Sequence, residues 1–144
     1  TEMWYTPYMD RTQIKTIEQA KEYAEDFFNK NKQVNSPCLG CKVSYNGKGR
    51  RHLFYKGSNK IRPSKDTIRR TRLLELAKKV IEQSVFYTDY NVDSKGSQKL
   101  KYWSFVATVE NVKLRVVVRQ QGDNGEKHFW SVMSDRKKEL YREG

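Results

Sequence analysis

The amino-acid sequence predicts an α+β fold in which helices pack on a mainly antiparallel sheet. Two stretches before residue 84 repeat apolar residues at helical spacing. Three stretches from residue 101 onward alternate β-branched and aromatic residues with polar ones, and turn residues separate them. Helices followed by consecutive strands are typical of α+β domains. The length of 144 residues favours a single domain spanning residues 1–144.

The first 41 residues are predicted to form an N-terminal helical segment. Apolar residues recur at helical spacing between Thr16 and Asn29, with acidic residues on the opposite side, which predicts a packing helix. The aromatic-rich stretch Met3–Met9 is expected to pack onto the main body. Residues 29–40 are predicted to be a polar connection. The remaining core is expected to span residues 42–144.

Two short strands and a long helix are predicted in the middle of the chain. The strands, Lys42–Tyr45 and Arg51–Tyr55, flank Asn46-Gly47, a dipeptide typical of tight hairpin turns. The helix is expected over 67–83, capped by Asp66 or Ser64. On a helical wheel, Arg69 and Arg70 share the apolar sector and Arg72 lies at its edge, so these arginines are expected to reach a cleft or a buried acid.

The C-terminal half is predicted to be mostly strand. The strong predictions are 101–109, 113–121 and 127–133, and a further strand is expected at 85–88. Glu110-Asn111 and residues 122–125 are predicted turns. A short charged helix is expected from Asp135.

Positive charge is concentrated in one block. Residues 42–79 hold 13 of the 29 Lys and Arg residues but only 2 acidic ones, and the whole chain carries a net charge of +12. A dense basic block in a small protein predicts a polyanionic partner, of which nucleic acid is the foremost candidate. We therefore expect RNA or DNA as the partner.

Several classes of protein are disfavoured by the sequence. No apolar run approaches the roughly 20 residues of a membrane span, and no signal peptide is visible. A start at Thr1 rather than Met is expected of a piece of a longer protein. The P-loop, GxSxG and HExxH motifs are missing. Because acidic residues are scarce in the basic block, cleavage of nucleic acid is expected to proceed without a metal or another cofactor.

The two cysteines, Cys38 and Cys41, leave three interpretations open. A plain turn with thiols or a disulfide is favoured, because a structural zinc site usually needs four ligands. A metal site and a redox pair remain as alternatives.

Metal-free RNA cleavage needs a base for the 2′-hydroxyl and cations for the phosphate. His52 is the sharpest candidate because it lies within the basic block, beside Lys56. Arg69 is a candidate for the phosphate-stabilising cation because the helical wheel places it on the packed side of the helix. A structural ion pair would explain the same position. An ordinary half-exposed strand histidine is the alternative for His52.

The last strands hold further candidates. His128 and Ser131 lie in one predicted strand but on opposite faces, so they are not expected to line one cleft together. Arg115 and Arg119 share one strand face with Lys113 and Val117. This face could extend the basic surface across the sheet, and an ordinary solvent-exposed face is the alternative. Tyr55, Tyr102 and Trp103 could stack on bases, although strand aromatics commonly belong to the core.

The order of these pieces resembles a known superfamily. Arg51-His52-Leu53-Phe54 precedes a basic loop and the helix 66–73, and strands ending in 115–119 and 128–133 follow. This arrangement is similar to nuclease toxins of the barnase, EndoU, colicin and RelE superfamily, in its phage-associated or polymorphic-toxin branch. About 60% of the chain takes part in the resemblance.

The resemblance implies a four- to five-stranded antiparallel sheet with helices on one face. It also implies a ribonuclease that cleaves RNA, often tRNA, to a cyclic phosphate and acts in the cytoplasm of a target cell. Such domains are often C-terminal parts of secreted toxins matched by an immunity protein. His52, Arg69 and Ser131 would take the family's site positions, whereas no carboxylate base is evident.

These observations define three hypotheses. The leading one is a metal-independent ribonuclease toxin domain with a possible acidic immunity partner. Its catalytic set is His52, Lys56, Arg69, Ser131 and His128, and its RNA-binding set is Arg51, Arg70, Arg72, Arg119 and Tyr55. The alternatives are a non-catalytic RNA- or DNA-binding module and a phage accessory domain with a nuclease-like fold.

Overall fold

A six-stranded mixed sheet carries helices on one face. The computed structural model describes residues 10–57 and 59–134. The helices are α1 (Ile17–Lys30), α2 (Gly47–Phe54), α3 (Ser64–Arg72) and α4 (Leu74–Gln83), after a 3-10 turn at Arg11–Gln13. The strands are β1 (Gln33–Ser36), β2 (Cys41–Ser44), β3 (Tyr55–Lys56), β4 (Lys60–Ile61), β5 (Asp89–Lys95), β6 (Gln98–Val109), β7 (Val112–Gln121) and β8 (Lys127–Ser134).

The sheet order confirms the α+β class but corrects its details. Neighbours run β1-β2-β8-β7-β6-β5, and β3 pairs with β4 in a separate two-stranded sheet. All pairings are antiparallel except β2 with β8, which are parallel. The prediction of four to five strands was too small. The helix-first arrangement holds only in part, because β1 and β2 precede three of the four helices.

Helix α1 forms where its sequence predicts it. Thr16 accepts a hydrogen bond from the Gln19 amide at 3.1 Å, and the Gln19 side chain accepts one from the Thr16 amide, so both orphan N–H groups are satisfied. The helix buries one apolar face that includes Phe27 and Phe28. The predicted polar connection after it is partly wrong, because the polar segment Gln33–Ser36 pairs with β2. Cys38 and Cys41 are free thiols at the turn of this hairpin.

The predicted strand Arg51–Tyr55 is wrong, because most of it forms helix α2. The Asn46 side chain accepts hydrogen bonds from the amides of Lys48 and Gly49, which makes Asn46 an N-cap rather than a hairpin residue. Its φ of −109° is extended, so the left-handed conformation of a tight Asn-Gly turn does not occur.

The single helix predicted over 67–83 is two helices. The backbone at Leu73 takes φ −96° and ψ 0°, and its amide bonds Arg70 and Thr71 rather than continuing the regular ladder. Asp66 and Ser64 are both inside α3, and Pro63 precedes it without a side-chain cap. The buried residues of α3 are Thr67 and Thr71, whereas α4 buries a set of apolar side chains: Leu74, Leu76, Ala77, Val80 and Ile81.

The three strong strand predictions are confirmed as β6, β7 and β8. The predicted strand at 85–88 is wrong; the strand lies further on as β5, all of whose residues are exposed. Glu110 and Asn111 have φ of 50° and 65°, which confirms a tight turn between β6 and β7. The predicted helix from Asp135 and the stretch Met3–Met9 lie outside the described residues.

Aromatic rings join the helices to the centre of the sheet. Tyr45 follows β2 and stacks on Phe129 of β8 with ring centroids 4.9 Å apart, and Phe28 of α1 meets both rings edge-on. These side chains belong to one buried cluster with Val116 and Val118 of β7. The helix-facing side of β8 is therefore fixed by close packing.

A β-bulge interrupts the pairing of β7 with β8. Val118 pairs with Phe129 and Val117 pairs with Ser131, so Trp130 is an extra residue on β8. His128 pairs with Arg119, which shares a face with Val117. The bulge therefore brings His128 and Ser131 to the same face of the sheet, and the prediction that they face opposite ways is wrong.

Gly49 provides a test of this packing. A Cβ at Gly49 would lie 2.1 Å from the carbonyl oxygen of Phe129, whereas a Cβ at Gly47 would meet nothing within 4 Å. We expect Gly49→Ala to destabilise the protein by about 1–3 kcal/mol through overpacking. Gly47→Ala should be neutral or stabilising by up to about 1 kcal/mol. Urea unfolding measures both, and equal stabilities would contradict the close contact between α2 and β8.

Candidate functional site

A groove opens on the sheet face that the core helices leave uncovered. Its volume is about 320 Å³, and we call it the β8 groove. It is lined by His52, Asp89, Asn91, Tyr102, Ser104, Val117, Trp130, Ser131 and Met133. A smaller basic cleft adjoins it across Trp130 and is lined by Lys48, Arg51, His52, Gly57, Arg119, Gln121 and Trp130. His52 and Trp130 border both, so the two form one continuous surface.

Trp130 organises this surface because the bulge turns its ring toward α2. The imidazole of His52 stacks on the Trp130 ring with centroids 3.9 Å apart and planes 16° apart. The Arg119 guanidinium lies 3.5 Å from the centre of the same ring. Stacking and cation–π attraction thus hold one imidazole and one guanidinium in fixed positions.

Burial and the contact with Arg62 keep His52 in its neutral form. Nη2 of Arg62 lies 3.1 Å from Nε2 of His52, and Nε of Arg62 donates to the His52 carbonyl at 2.9 Å. Because a guanidinium has only donors, Nε2 of His52 is the acceptor of this bond. Burial lowers the pKa of His52 to about 4, and the positive charges of Arg62, Arg70 and Arg119 act in the same direction.

His128 and Arg119 repeat this arrangement on β8 and β7. Nε of Arg119 donates to Nε2 of His128 at 3.1 Å, and His128 is buried. Burial lowers the pKa of His128 to about 4, with the Arg119 charge as the next cause. The site thus holds two neutral imidazoles, each with its acceptor nitrogen on a guanidinium.

Arg70 extends from α3 to the groove, and its guanidinium is fixed by hydrogen bonds from both Nε and Nη1. Its Nη1 donates to Oγ of Ser131 at 2.9 Å and to the Val132 carbonyl at 3.3 Å. Its Nε donates to Asp66 at 3.1 Å. The guanidinium therefore fixes the Ser131 hydroxyl, which lies on the groove face because of the bulge.

Asp66 is the acid that joins two of these arginines. One carboxylate oxygen accepts from Arg70, and the other lies 3.4 Å from Nη1 of Arg62. Burial raises the pKa of Asp66, but the charges and hydrogen bonds of Arg70 and Arg62 outweigh it and hold the pKa below its usual value. One carboxylate thus serves two guanidinium groups, and Arg119 lies close by with no carboxylate among its contacts on the described residues.

The structure brings together most of the predicted site residues. His52 and Ser131 line the β8 groove, Arg70 and His128 contact its lining, and Arg51 and Arg119 line the adjoining cleft. The ring of Tyr55 lies under the Arg51 guanidinium at 4.2 Å. These residues form one surface although they come from α2, α3, β3, β7 and β8.

Three predicted residues lie elsewhere. Arg69 and Arg72 are on another side of α3, where they line a separate groove. Arg72 donates to the Ile14 carbonyl at 2.8 Å. A helical wheel drawn for one straight helix over 67–83 places Arg69 on the packed side. Because the helix breaks at Leu73, that wheel does not apply to α3. Lys56 is exposed on β3 and does not line either part of the site.

Sequence reasoning missed Arg62, Asp66 and Trp130 as site residues. Arg62 lies in the basic loop before the helix, yet it is buried with 5% exposure. Pro63 restricts the backbone of Arg62, but nothing in the sequence indicates where the guanidinium lies. The role of Trp130 depends on the bulge, for which the sequence carries no local signal.

Comparisons with protein-family models, with curated proteins and with solved structures find no match for this chain. No helix in the described part of the chain is long and apolar enough to cross a membrane. Within residues 10–57 and 59–134, no three His, Cys, Asp or Glu side chains cluster as metal ligands.

The lowered histidine pKa values predict a pH dependence of stability. Between pH 6.5 and pH 4 the unfolded chain binds protons at its two histidines that the folded protein excludes. Unfolding free energy should therefore fall as the pH drops through this window. NMR titration of the two imidazoles should give midpoints near 4. Midpoints near the ordinary 6.5 would contradict the arginine contacts.

Proposed function

We propose that this protein is a metal-independent ribonuclease whose β8 groove binds and cleaves a phosphodiester. The observation that carries the proposal is the convergence of an imidazole, a hydroxyl and several guanidiniums on one groove. His52, Ser131 and Arg70 meet there, with Arg119 beside them. Such groups supply the base and the charge stabilisation that RNA cleavage needs without a metal.

The charge of the site supports a phosphate ligand. Arg62 and Arg70 contact residues that line the groove, and Arg119 lines the adjoining cleft. Asp66 compensates only Arg62 and Arg70. Guanidinium and phosphate form strong, often bidentate hydrogen bonds. A phosphodiester therefore gains favourable contacts there and relieves the repulsion among the arginines.

Phosphate binding also provides a route to a free base. A phosphate oxygen competes with Nε2 of His52 for the donors of Arg62, because the phosphate carries a charge opposite to the guanidinium and the imidazole is neutral. The released Nε2 then accepts the proton of the 2′-hydroxyl. The bond from the 2′-oxygen to phosphorus forms, the bond to the 5′-oxygen breaks, and water protonates that leaving oxygen. The hydroxide formed from this water takes the proton back from His52, which restores the neutral imidazole. The product is a cyclic phosphate.

Ser131 and Arg70 position the reacting phosphate. The Arg70 guanidinium already uses Ser131 as its acceptor, so the serine hydroxyl hydrogen is free to donate to a phosphate oxygen. At the far rim, Asp89 and Asn91 offer polar atoms to the edges of a nucleobase. The groove thus has separate places for a phosphate and a base.

The resemblance of residues 51–133 to nuclease toxins supplies the biological setting of the proposal. In that setting the RNA is tRNA, and the protein acts in the cytoplasm of a target cell after delivery as part of a larger toxin. An acidic immunity protein would neutralise it. The net charge of +12 suits such a partner, because opposite charge speeds association.

Cleavage of total tRNA in the presence of EDTA tests this function. The protein should produce discrete fragments ending in cyclic phosphate. Arg70→Gln should lower the cleavage rate by about 10²–10³-fold, the range found when a transition-state donor is removed. The matched control is Arg50→Gln, an exposed arginine of α2 that lines a different pocket. Intact tRNA at high protein concentration, or equal rates for both variants, would contradict the proposal.

A second candidate is a non-catalytic RNA-binding module. It is favoured by the contacts of both imidazoles, whose Nε2 atoms are occupied by arginines. His52→Ala separates the candidates. A ribonuclease should lose about 10²–10⁴-fold in rate while still binding RNA. A binding module should show no cleavage before or after the change and keep most of its affinity, which salt would weaken steeply.

A further inference from the structure

A second basic groove lies on another side of α3. Its volume is about 550 Å³, and we call it the α3 groove. It is lined by Arg11, Thr12, Lys15, Lys65, Ile68, Arg69, Arg72, Leu73, Val112 and Ser134. Five of these residues are cations and none is an acid. Such a gathering of positive charge beside a site already proposed to bind phosphate calls for an anionic ligand.

Helix α3 divides its side chains between the two grooves. The pairs Lys65/Arg69 and Ile68/Arg72 are each four residues apart, and all four residues line the α3 groove. Asp66 and Arg70 are also four residues apart, and Arg70 donates to Ser131 of the β8 groove. Side chains of one helix therefore contribute to both grooves.

Several of these cations are free to take a ligand. Arg72 is held by the Ile14 carbonyl, and Arg11 pairs with Glu110 at 3.4 Å. By contrast, Lys15, Lys65 and Arg69 make no ion pair with any of the described residues. Lys65 and Arg69 are both exposed on α3, one turn apart. Two adjacent unpaired cations suit two phosphates of an extended chain.

Three apolar residues line the α3 groove together with its cations. Ile68 and Val112 are half-buried and Leu73 is buried. Nucleic acid can use both kinds of residue, because its phosphates bind cations and its base faces favour apolar or aromatic contact. A plain inorganic anion would use the cations alone.

We propose that the α3 groove binds a flanking segment of the same RNA strand that enters the β8 groove. This inference rests on the proposed function, since it assigns a second contact to that substrate. Single-stranded sites cover about 4–16 nucleotides, which is enough to pass from one groove to the other across α3. The α3 groove then contributes affinity and register, while the chemistry stays in the β8 groove.

The test compares binding of long and short RNA that cannot be cleaved. The probes are a fully 2′-O-methylated single strand of about 20 nucleotides and a trinucleotide of the same composition. Lys65→Gln/Arg69→Gln should reduce the salt dependence of binding to the long probe by about 1.4 in the log–log slope, since each lost phosphate contact removes about 0.7. Binding of the trinucleotide should not change.

The matched control removes the same charge elsewhere. Lys21→Gln/Lys95→Gln alters two exposed lysines that line neither groove. This control should keep the wild-type slope. An equal fall in slope for both double variants would overturn the proposal in favour of diffuse attraction to net charge. An unchanged slope for the α3 variant would overturn it outright.

Two further readouts separate the possible failures. If binding of poly-L-glutamate depends on Lys65 and Arg69 while binding of the long RNA does not, the groove serves an acidic protein and the proposal is wrong. Cleavage of tRNA is measured independently with the wild-type protein. If the α3 variant lowers the salt-dependence slope but the wild-type protein does not cleave tRNA, RNA binding by the α3 groove is supported and the ribonuclease function is contradicted. If tRNA is cleaved but the slope is unchanged, the ribonuclease function is supported and RNA binding by the α3 groove is contradicted.

Discussion

The extra residue in β8 is the constraint on which the site depends. Without the bulge at Trp130, strict alternation would place Ser131 on the helix-facing side of the sheet. With it, Ser131 and His128 share a face, and the indole ring is offered to His52 and Arg119. The contact of Arg70 with Ser131 follows from the same shift. One irregular residue therefore sets the positions of side chains from four elements.

Electrostatic repulsion is the second organising feature of the site. Burial lowers the pKa of both imidazoles, the charges of nearby arginines act in the same direction, and each neutral ring accepts a hydrogen bond from a guanidinium. Asp66 compensates part of the charge by bridging Arg62 and Arg70. This arrangement holds several donors in place with few acceptors, which is the basis of the proposal that the site binds an anion.

The sequence predicted the elements whose signals are local. Helix α1 has a capping box and a continuous apolar stripe, and β6 to β8 have clear alternation, so both were found. Strand β1 is too polar to show alternation, and its pairing with β2 alone defines it. Asn46-Gly47 was ambiguous because asparagine serves equally in tight turns and at helix N-caps. In the folded protein Gly49 of this helix lies against β8, a tertiary contact that the local sequence does not reveal.

The site was predicted only in part, because local sequence signals identify some of its residues and tertiary contacts place the others. His52, Arg70 and Ser131 were named from residue type and position, but Arg69 was preferred to Arg70 because the break at Leu73 was not foreseen. The shared facing of His128 and Ser131 depends on register with β7, which no single strand encodes. Arg62 lay in a segment without periodicity.

The sharing of Asp66 by two arginines has a consequence for the free protein. Arg62 and Arg70 share this carboxylate, and Arg119 has no carboxylate among its contacts with the described residues, so positive charge in the free protein is only partly compensated. A polyanion bound as proposed would reduce the repulsion and raise the free energy of unfolding. The melting temperature would then be higher with the ligand than without it.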